Sequence, residues 1–451
     1  MYSVTSRAQT DYVSGASTPS SLFKPQSIDL SEFSFPKDVY PPFRDFCENG
    51  IVPESEAIQS SIASCCLKYQ TPQVLAALLE NGKIKTLNLS GTFLDDKSAK
   101  DLASLLKTNT TLQRIYLADN DFGTEGFIAI CGALEENANL ITLDLSQNDA
   151  DGLEYVEAIA SMVEKNRTLQ ILELGICRID AEKLPILAKA LEENLALTQL
   201  GLGFNLIGPE GISTILKIVE KKPLLKVLDL SGNKIGSEGG KLVAEILKTN
   251  TTLMRLDLAY NYLGPIGANA ILNAIPDNAT LRSLSLSYNQ INGSNAKSIA
   301  SMLRQNTGLS SLDLSCNQLF FPADAPANEA IDFIVRGLEH NTALTELDLA
   351  TNHMTDRSLA TQSHSPWNGQ RAQCENDLSR VGDLLQRNRL FNALSEKDAD
   401  LASQLIPRHR LSLDEGKLLA GAMIMSAAST AAYQAAMVEI QCCVNLLASQ
   451  T

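Results

Sequence analysis

The sequence predicts one long α/β solenoid, with short parallel strands on a concave side and helices on a convex side. Three observations predict it. A leucine pattern recurs along most of the 451 residues at nearly constant spacing. Within each copy, an alternating apolar stretch gives way to a helical one. The composition, 44% apolar and 20% charged, is that of an ordinary folded chain.

The pattern is L-x-x-L-x-L-x-x-N. It begins imperfectly as "IKTLNLSGT" from Ile84 and continues as "LQRIYLADN" from Leu112 and "LITLDLSQN" from Leu140. "LQILELGIC" from Leu169 has Cys177 at the asparagine position. The later copies start at Leu197, Leu225, Leu253, Leu281, Leu309 and Leu344, which makes ten. Most starts are 28 residues apart. The step from Leu140 is 29 and the step from Leu309 is 35. In the x-L-x-L part, alternation puts the leucines on one face of a strand and the residues between them on the other. The asparagine amide can bind backbone groups of the following turn, which fixes its place. The second half of each copy reads as an amphipathic helix. In "SAKDLASLLKTN", Ala99, Leu102, Leu105 and Leu106 share a face. One such unit cannot bury its apolar face alone, so neighbours must stack.

The flanks divide as follows. Residues 1–40 are rich in Ser, Thr and Pro and are expected to be disordered. Residues 41–83 are expected to form a helical cap, because an open array end would expose leucines. The repeat domain is expected over 84–393, with insertions near 319–329 and 353–376. The first insertion carries exposed-looking Phe320 and Phe321, and the second carries the single tryptophan, Trp367. Residues 394–451 are expected to be helical. Within them, 418–438 runs 21 residues without a charge. That segment is rich in small residues, which suits close helix packing and self-association, and it is long enough for membrane contact.

The 28-residue strand–helix unit resembles the ribonuclease-inhibitor subclass of leucine-rich repeat proteins, from Ile84 to Asn352 and on toward Leu390. The resemblance implies a horseshoe that binds proteins through its concave face and rims. That family includes ribonuclease inhibitor, immune-sensor repeat domains, Ran GTPase-activating protein and secreted effectors of intracellular bacteria. The chain departs from several members. It has no G-x-x-x-x-G-K-[ST] nucleotide loop, lacks the cysteine density of ribonuclease inhibitor, and offers no position for the catalytic arginine of the GTPase activators.

The chemistry-bearing residues are sparse. Four histidines form no metal-binding spacing, and neither G-x-S-x-G nor a phosphate loop after a strand occurs. The nine cysteines include no C-x-x-C and read as buried apolar groups in a reducing compartment. Cys177 is expected to be scaffold and Cys316 a plain surface thiol. No enzyme, cofactor or metal is expected. The formal net charge of −15 argues against nucleic acid and favours a basic or mixed-charge protein partner. No apolar signal core opens the chain, so a cytoplasmic location is expected, or the host cytosol for a secreted effector.

Function then rests on two exposed columns. Between the last two leucines of each copy lie Asn88, Tyr116, Asp144, Glu173, Gly201, Asp229, Asp257, Ser285, Asp313 and Asp348, six of the ten acidic. Asp229 and Asp257 should be neighbours that repel, with Arg255 offsetting the repulsion. The acidic column is equally well explained as family consensus. Just before the asparagine stand Phe204, Tyr260 and Tyr288, directed toward the rim, while Tyr262 after it is expected to pack in the turn. The expected protein-binding residues are Tyr116, Phe204, Asp229, Arg255, Asp257, Tyr260, Tyr288 and Asp313. Rival readings on the same fold are a GTPase-activating or ubiquitin-ligase-adaptor regulator and a membrane-associated scaffold.

Overall fold

The computed structural model describes residues 40–49, 51–68, 72–80, 82–148, 150–320, 327–352, 380–385 and 388. Residues 1–39, Phe321 of the first insertion, the whole second insertion with Trp367, and the segment 394–451 with its charge-free stretch lie outside the described residues.

Ten strands form one parallel sheet in sequence order. They are β1 (Thr86–Asn88), β2 (Arg114–Tyr116), β3 (Thr142–Asp144), β4 (Ile171–Glu173), β5 (Gln199–Gly201), β6 (Val227–Asp229), β7 (Arg255–Asp257), β8 (Ser283–Ser285), β9 (Ser311–Asp313) and β10 (Glu346–Asp348). Each pairs in register with the next, so equivalent residues align in columns, as Asp229 does with Asp257. The middle residue of the first nine strands, such as Leu228 or Leu256, is buried against the helices, and Leu347 of β10 is partly buried. Three helices precede the sheet: α1 (Tyr40–Asn49), α2 (Glu56–Lys68) and α3 (Pro72–Glu80). The Ser60 hydroxyl of α2 accepts the amide of Asn88 at 2.9 Å, tying that helix to the first strand. The remaining helices alternate with strands and include α4 (Asp96–Leu106), which opens on an Asp95 cap accepting the Ser98 amide. One apolar core runs the length of the array between sheet and helices. Phe320 belongs to it at 2% exposure. That corrects the expectation of an exposed ring: an apolar side chain at the head of the insertion joins the core rather than face water.

Two asparagine ladders pin successive repeats. In the first, the buried Asn261 amide donates to Leu230 O at 2.8 Å, Leu258 O at 3.0 Å and Ala259 O at 3.1 Å. Its oxygen accepts the amides of Asn233 at 2.9 Å and Ile235 at 3.3 Å. Cys177 keeps the bridging bond, its thiol donating to Leu145 O at 3.3 Å, so it serves as scaffold. Its burial pushes the thiol up to about 12, far from a nucleophile's range.

The second ladder lies where helix gives way to strand. Asn166 donates to Leu134 O at 2.7 Å and Asn137 O at 2.9 Å, and its oxygen accepts the amides of Thr168 and Leu169. Asn194 and Asn278 repeat this. Lys222 takes the equivalent position between them. It is 3% exposed, its ammonium has no hydrogen-bond partner, and burial, with Arg167 adding repulsion, lowers it to about 8. Asn250 of the next repeat bonds Thr252 and Leu253 of its own turn.

Candidate functional site

The acidic column has a structural duty. In Asp144, Asp229, Asp257, Asp313 and Asp348, one carboxylate oxygen accepts the amide two residues on, at 2.8–3.0 Å, and closes the turn after the strand. Asn88 does the same. The fold therefore accounts for the residue type, which favours the consensus explanation of the column while leaving each second oxygen on the concave side. Asp257 is raised above the usual carboxylate range, first by burial and then by Asp229 and Asp313. Arg255 does not provide the expected offset. Among the described residues, no ion pair joins it or any of the six column acids to an opposite charge.

Glu173 departs from the pattern. Its carboxylate accepts the Gln199 side-chain amide at 2.6 Å and lies where a side chain on Gly201 would be, 1.6 Å from an ideal Cβ there. Burial, then Asp144 and Asp229, push it up to about 7. Raised in the folded state, this group supports folding while it is protonated and costs stability once it ionises. The wild-type chain should lose on the order of 2–3 kcal/mol as pH rises from about 4.5 to 7. Denaturant titrations across that range should show the slope, and Glu173→Gln should flatten it; an equal slope in the variant would assign the effect to other groups.

The residue before the asparagine adopts left-handed backbone in every repeat, from Gly91 through Asp119, Gln147, Ile176, Phe204, Gly232, Tyr260, Tyr288 and Cys316 to Thr351, with φ between 53° and 66°. For a non-glycine residue this conformation costs on the order of 1 kcal/mol, and β-branched Ile176 is a notable bearer. Five consecutive repeats place Ile176, Phe204, Gly232, Tyr260 and Tyr288 here, and the four large side chains are 41–50% exposed. At about 4.8 Å per strand, the stripe runs roughly 19 Å. Tyr260 and Tyr288 stack with centroids 3.9 Å apart and planes 13° apart. Phe204 lies over Gly232, where a Cβ would sit 2.5 Å from the ring, and so reaches Tyr260 two repeats away with centroids 5.6 Å apart. The Tyr288 hydroxyl is pushed up by its contacts with the Cys316 thiol and Tyr260.

The structure thus brings Phe204, Tyr260 and Tyr288 together beside Asp229, Asp257 and Asp313. Tyr116 stands apart on β2, five strands from Tyr260. Tyr262 is 58% exposed, not packed in its turn. It joins Tyr260, Tyr288, Gln290, Cys316, Gln318 and Thr351 around a groove of about 470 Å³. Sequence reasoning set Tyr262 aside as a turn residue and missed Gln290; both hold a second left-handed position directly after the asparagine. A column read one residue further would have found them.

Comparison with known proteins agrees with this architecture. The TMOD/LMOD leucine-rich domain matches residues 67–176, and a leucine-rich repeat model matches 221–244, 249–272, 277–300 and 340–360. The chain is a leucine-rich repeat protein. It is 33% identical over 104 residues to the human NACHT, LRR and PYD domains-containing protein 13, covering 23% of this chain and 10% of that one. Mouse ribonuclease inhibitor is 27% identical over 133 residues, 29% of each chain. These matches span less than a third of either relative. The solved structure of LegL7 from Legionella pneumophila covers 66% of this chain and 90% of its own, at 18% identity and a TM-score of 0.42.

The fold is the non-catalytic repeat-solenoid type. Among the described residues, no group of histidine, cysteine, aspartate or glutamate is placed to hold a metal, and no helix is long and apolar enough to cross a membrane.

Proposed function

We propose that the chain is a scaffold that captures a protein partner on the concave sheet and the adjoining aromatic rim, from Ile176 to Tyr288. One observation carries this reading. Large apolar side chains stand exposed in strained left-handed backbone over consecutive repeats, where glycine or asparagine would cost less. Stacking between the rings offsets only part of that strain, and exposed aromatic clusters of this kind anchor interfaces. Asp229, Arg255, Asp257 and Asp313 flank the stripe, and Tyr116 belongs to a separate part of the sheet. Helices α1–α3 cap the array. The reading carries a cytoplasmic site of action, in a host cell if the chain is a secreted bacterial effector.

Asp257 is a poor probe because its carboxylate also closes a turn. Tyr260→Ala with Tyr288→Ala is cleaner, since neither ring contributes to the buried core. Capture of the partner from lysate by the tagged chain should fall at least about tenfold while the circular dichroism spectrum stays unchanged. Undiminished capture would move the interface elsewhere.

A further inference from the structure

The groove beside the stripe has its own chemistry. No lysine or arginine lines it. Tyr260 has Phe204 toward one side and Tyr288 stacked on the other. The outer face of Tyr288 looks toward Cys316 and Thr351, the equivalent residues of the next two repeats, which are too small to cover a ring. Tyr262 supplies a second exposed aromatic wall, and Gln290 and Gln318 supply side-chain amides. Three residues before Tyr260, Cys316 and Thr351 stand Asp257, Asp313 and Asp348, none of them in an ion pair among the described residues. An open aromatic face and neutral acceptors line the groove, and carboxylates without an ion pair stand at the ends of the strands that lead into it.

We propose that this groove seats an arginine side chain presented by an extended segment of the protein partner. The proposal rests on the reading of the concave face as a protein-binding surface and names what that surface recognises. A guanidinium is flat enough to stack on Tyr288 and carries N–H donors for the carboxylates and glutamine oxygens. A lysine ammonium has the charge without the plane. A neutral aromatic ring has the plane and leaves the carboxylates unused. A nucleobase would stack, but its strand would bring phosphates toward Asp257, Asp313 and Asp348 on a chain of net charge −15.

The test uses the full chain and short acetylated peptides of sequence Gly-Leu-Arg-Leu-Arg-Leu-Gly, with both arginines replaced by citrulline or by lysine in the comparison peptides. A single-stranded oligouridylate serves as the nucleic-acid probe. By calorimetry at low salt, the arginine peptide should bind about tenfold tighter than the citrulline peptide and measurably tighter than the lysine peptide. The advantage should shrink as salt rises. It should disappear in Tyr288→Leu and in Asp313→Asn with Asp348→Asn. The asparagine variants keep the turn bond, as Asn88 does, and remove only the charge. Equal binding of arginine and citrulline peptides, no binding of either, or binding of the oligouridylate alone would overturn the proposal. If Tyr260→Ala with Tyr288→Ala still abolishes capture from lysate in that case, the protein-binding surface stands and the arginine seat falls.

Discussion

Asn261→Ala should destabilise the chain by roughly 3–5 kcal/mol, a large loss for a single polar truncation. The side chain is fully buried and gives three donor bonds and takes two, joining its own repeat to the preceding one. Alanine removes all five and leaves the amide of Asn233 and the carbonyl of Leu230 without their bridging partner in a site closed to water. Each stranded backbone group costs about 1–3 kcal/mol, and relaxation recovers part of it. Stability in a repeat array is carried by contacts between neighbours, so the loss weakens the interface between the sixth and seventh repeats. Denaturant unfolding followed by far-ultraviolet circular dichroism should show a lowered midpoint. Hydrogen exchange should show earlier opening of β6 and β7 than of β2 and β3. A change below about 1 kcal/mol would mean that the bonds are readily replaced. Asn261→Asp offers a control, retaining the acceptor and losing the donors.

Lys222→Asn should act in the opposite direction and stabilise by about 2–3 kcal/mol at neutral pH. Two contributions add. The substitution removes a buried ammonium without a hydrogen-bond partner, and it offers an amide where Asn194 and Asn278 each donate to two carbonyls of the preceding repeat. The backbone at Lys222, φ −105° and ψ 87°, departs from the φ −76° and ψ 126° of Asn194 and must relax. The pH dependence separates the two contributions. The folded state lowers the lysine to about 8 from its ordinary value of 10.5, so the full penalty is present below pH 8. It is relieved as pH rises from 8 to 10.5, because there the unfolded chain holds a proton that the folded chain has released. The wild-type protein should therefore gain stability across that window and Lys222→Asn should not. Lys222→Met removes the charge without supplying the bonds and should recover part of the gain. Were Lys222→Asn no more stable than wild type at pH 7, the ammonium would have to reach water in solution.

Much of this architecture was legible in the residues. The leucine spacing gave the ten strands, and the asparagine after each strand gave the first ladder. Cys177 read correctly as a scaffold replacement because its column was unambiguous. The second ladder is as regular: Asn109, Asn137, Asn166 and Asn194 each stand three residues before a repeat's first leucine. The helical reading of "SAKDLASLLKTN" ran through Asn109 without separating it, so neither this column nor its exception at Lys222 stood out. The site was legible only in part. Column positions placed Phe204, Tyr260 and Tyr288 on one rim, but the contact of Phe204 with Tyr260 skips a repeat and depends on the absence of a side chain at Gly232. No spacing rule reports such an absence. The role of the aspartates stayed open in the sequence for a physical reason as well. A carboxylate that closes a turn with one oxygen and faces a partner with the other meets both descriptions at once.

The two ladders also differ as mechanical elements. Along the strand ends, every step from Asn120 to Asn352 is bridged, Cys177 included. Along the helix ends, the bridge is missing on both sides of the repeat that begins at Leu225. A beam with one continuous chord and one cut chord bends at the cut. The solenoid should flex about this repeat by spreading its helix-end edge, while the spacing of the aromatic rings at the opposite edge stays fixed. A load applied along the array would change its curvature without detuning the surface that Tyr260 and Tyr288 present.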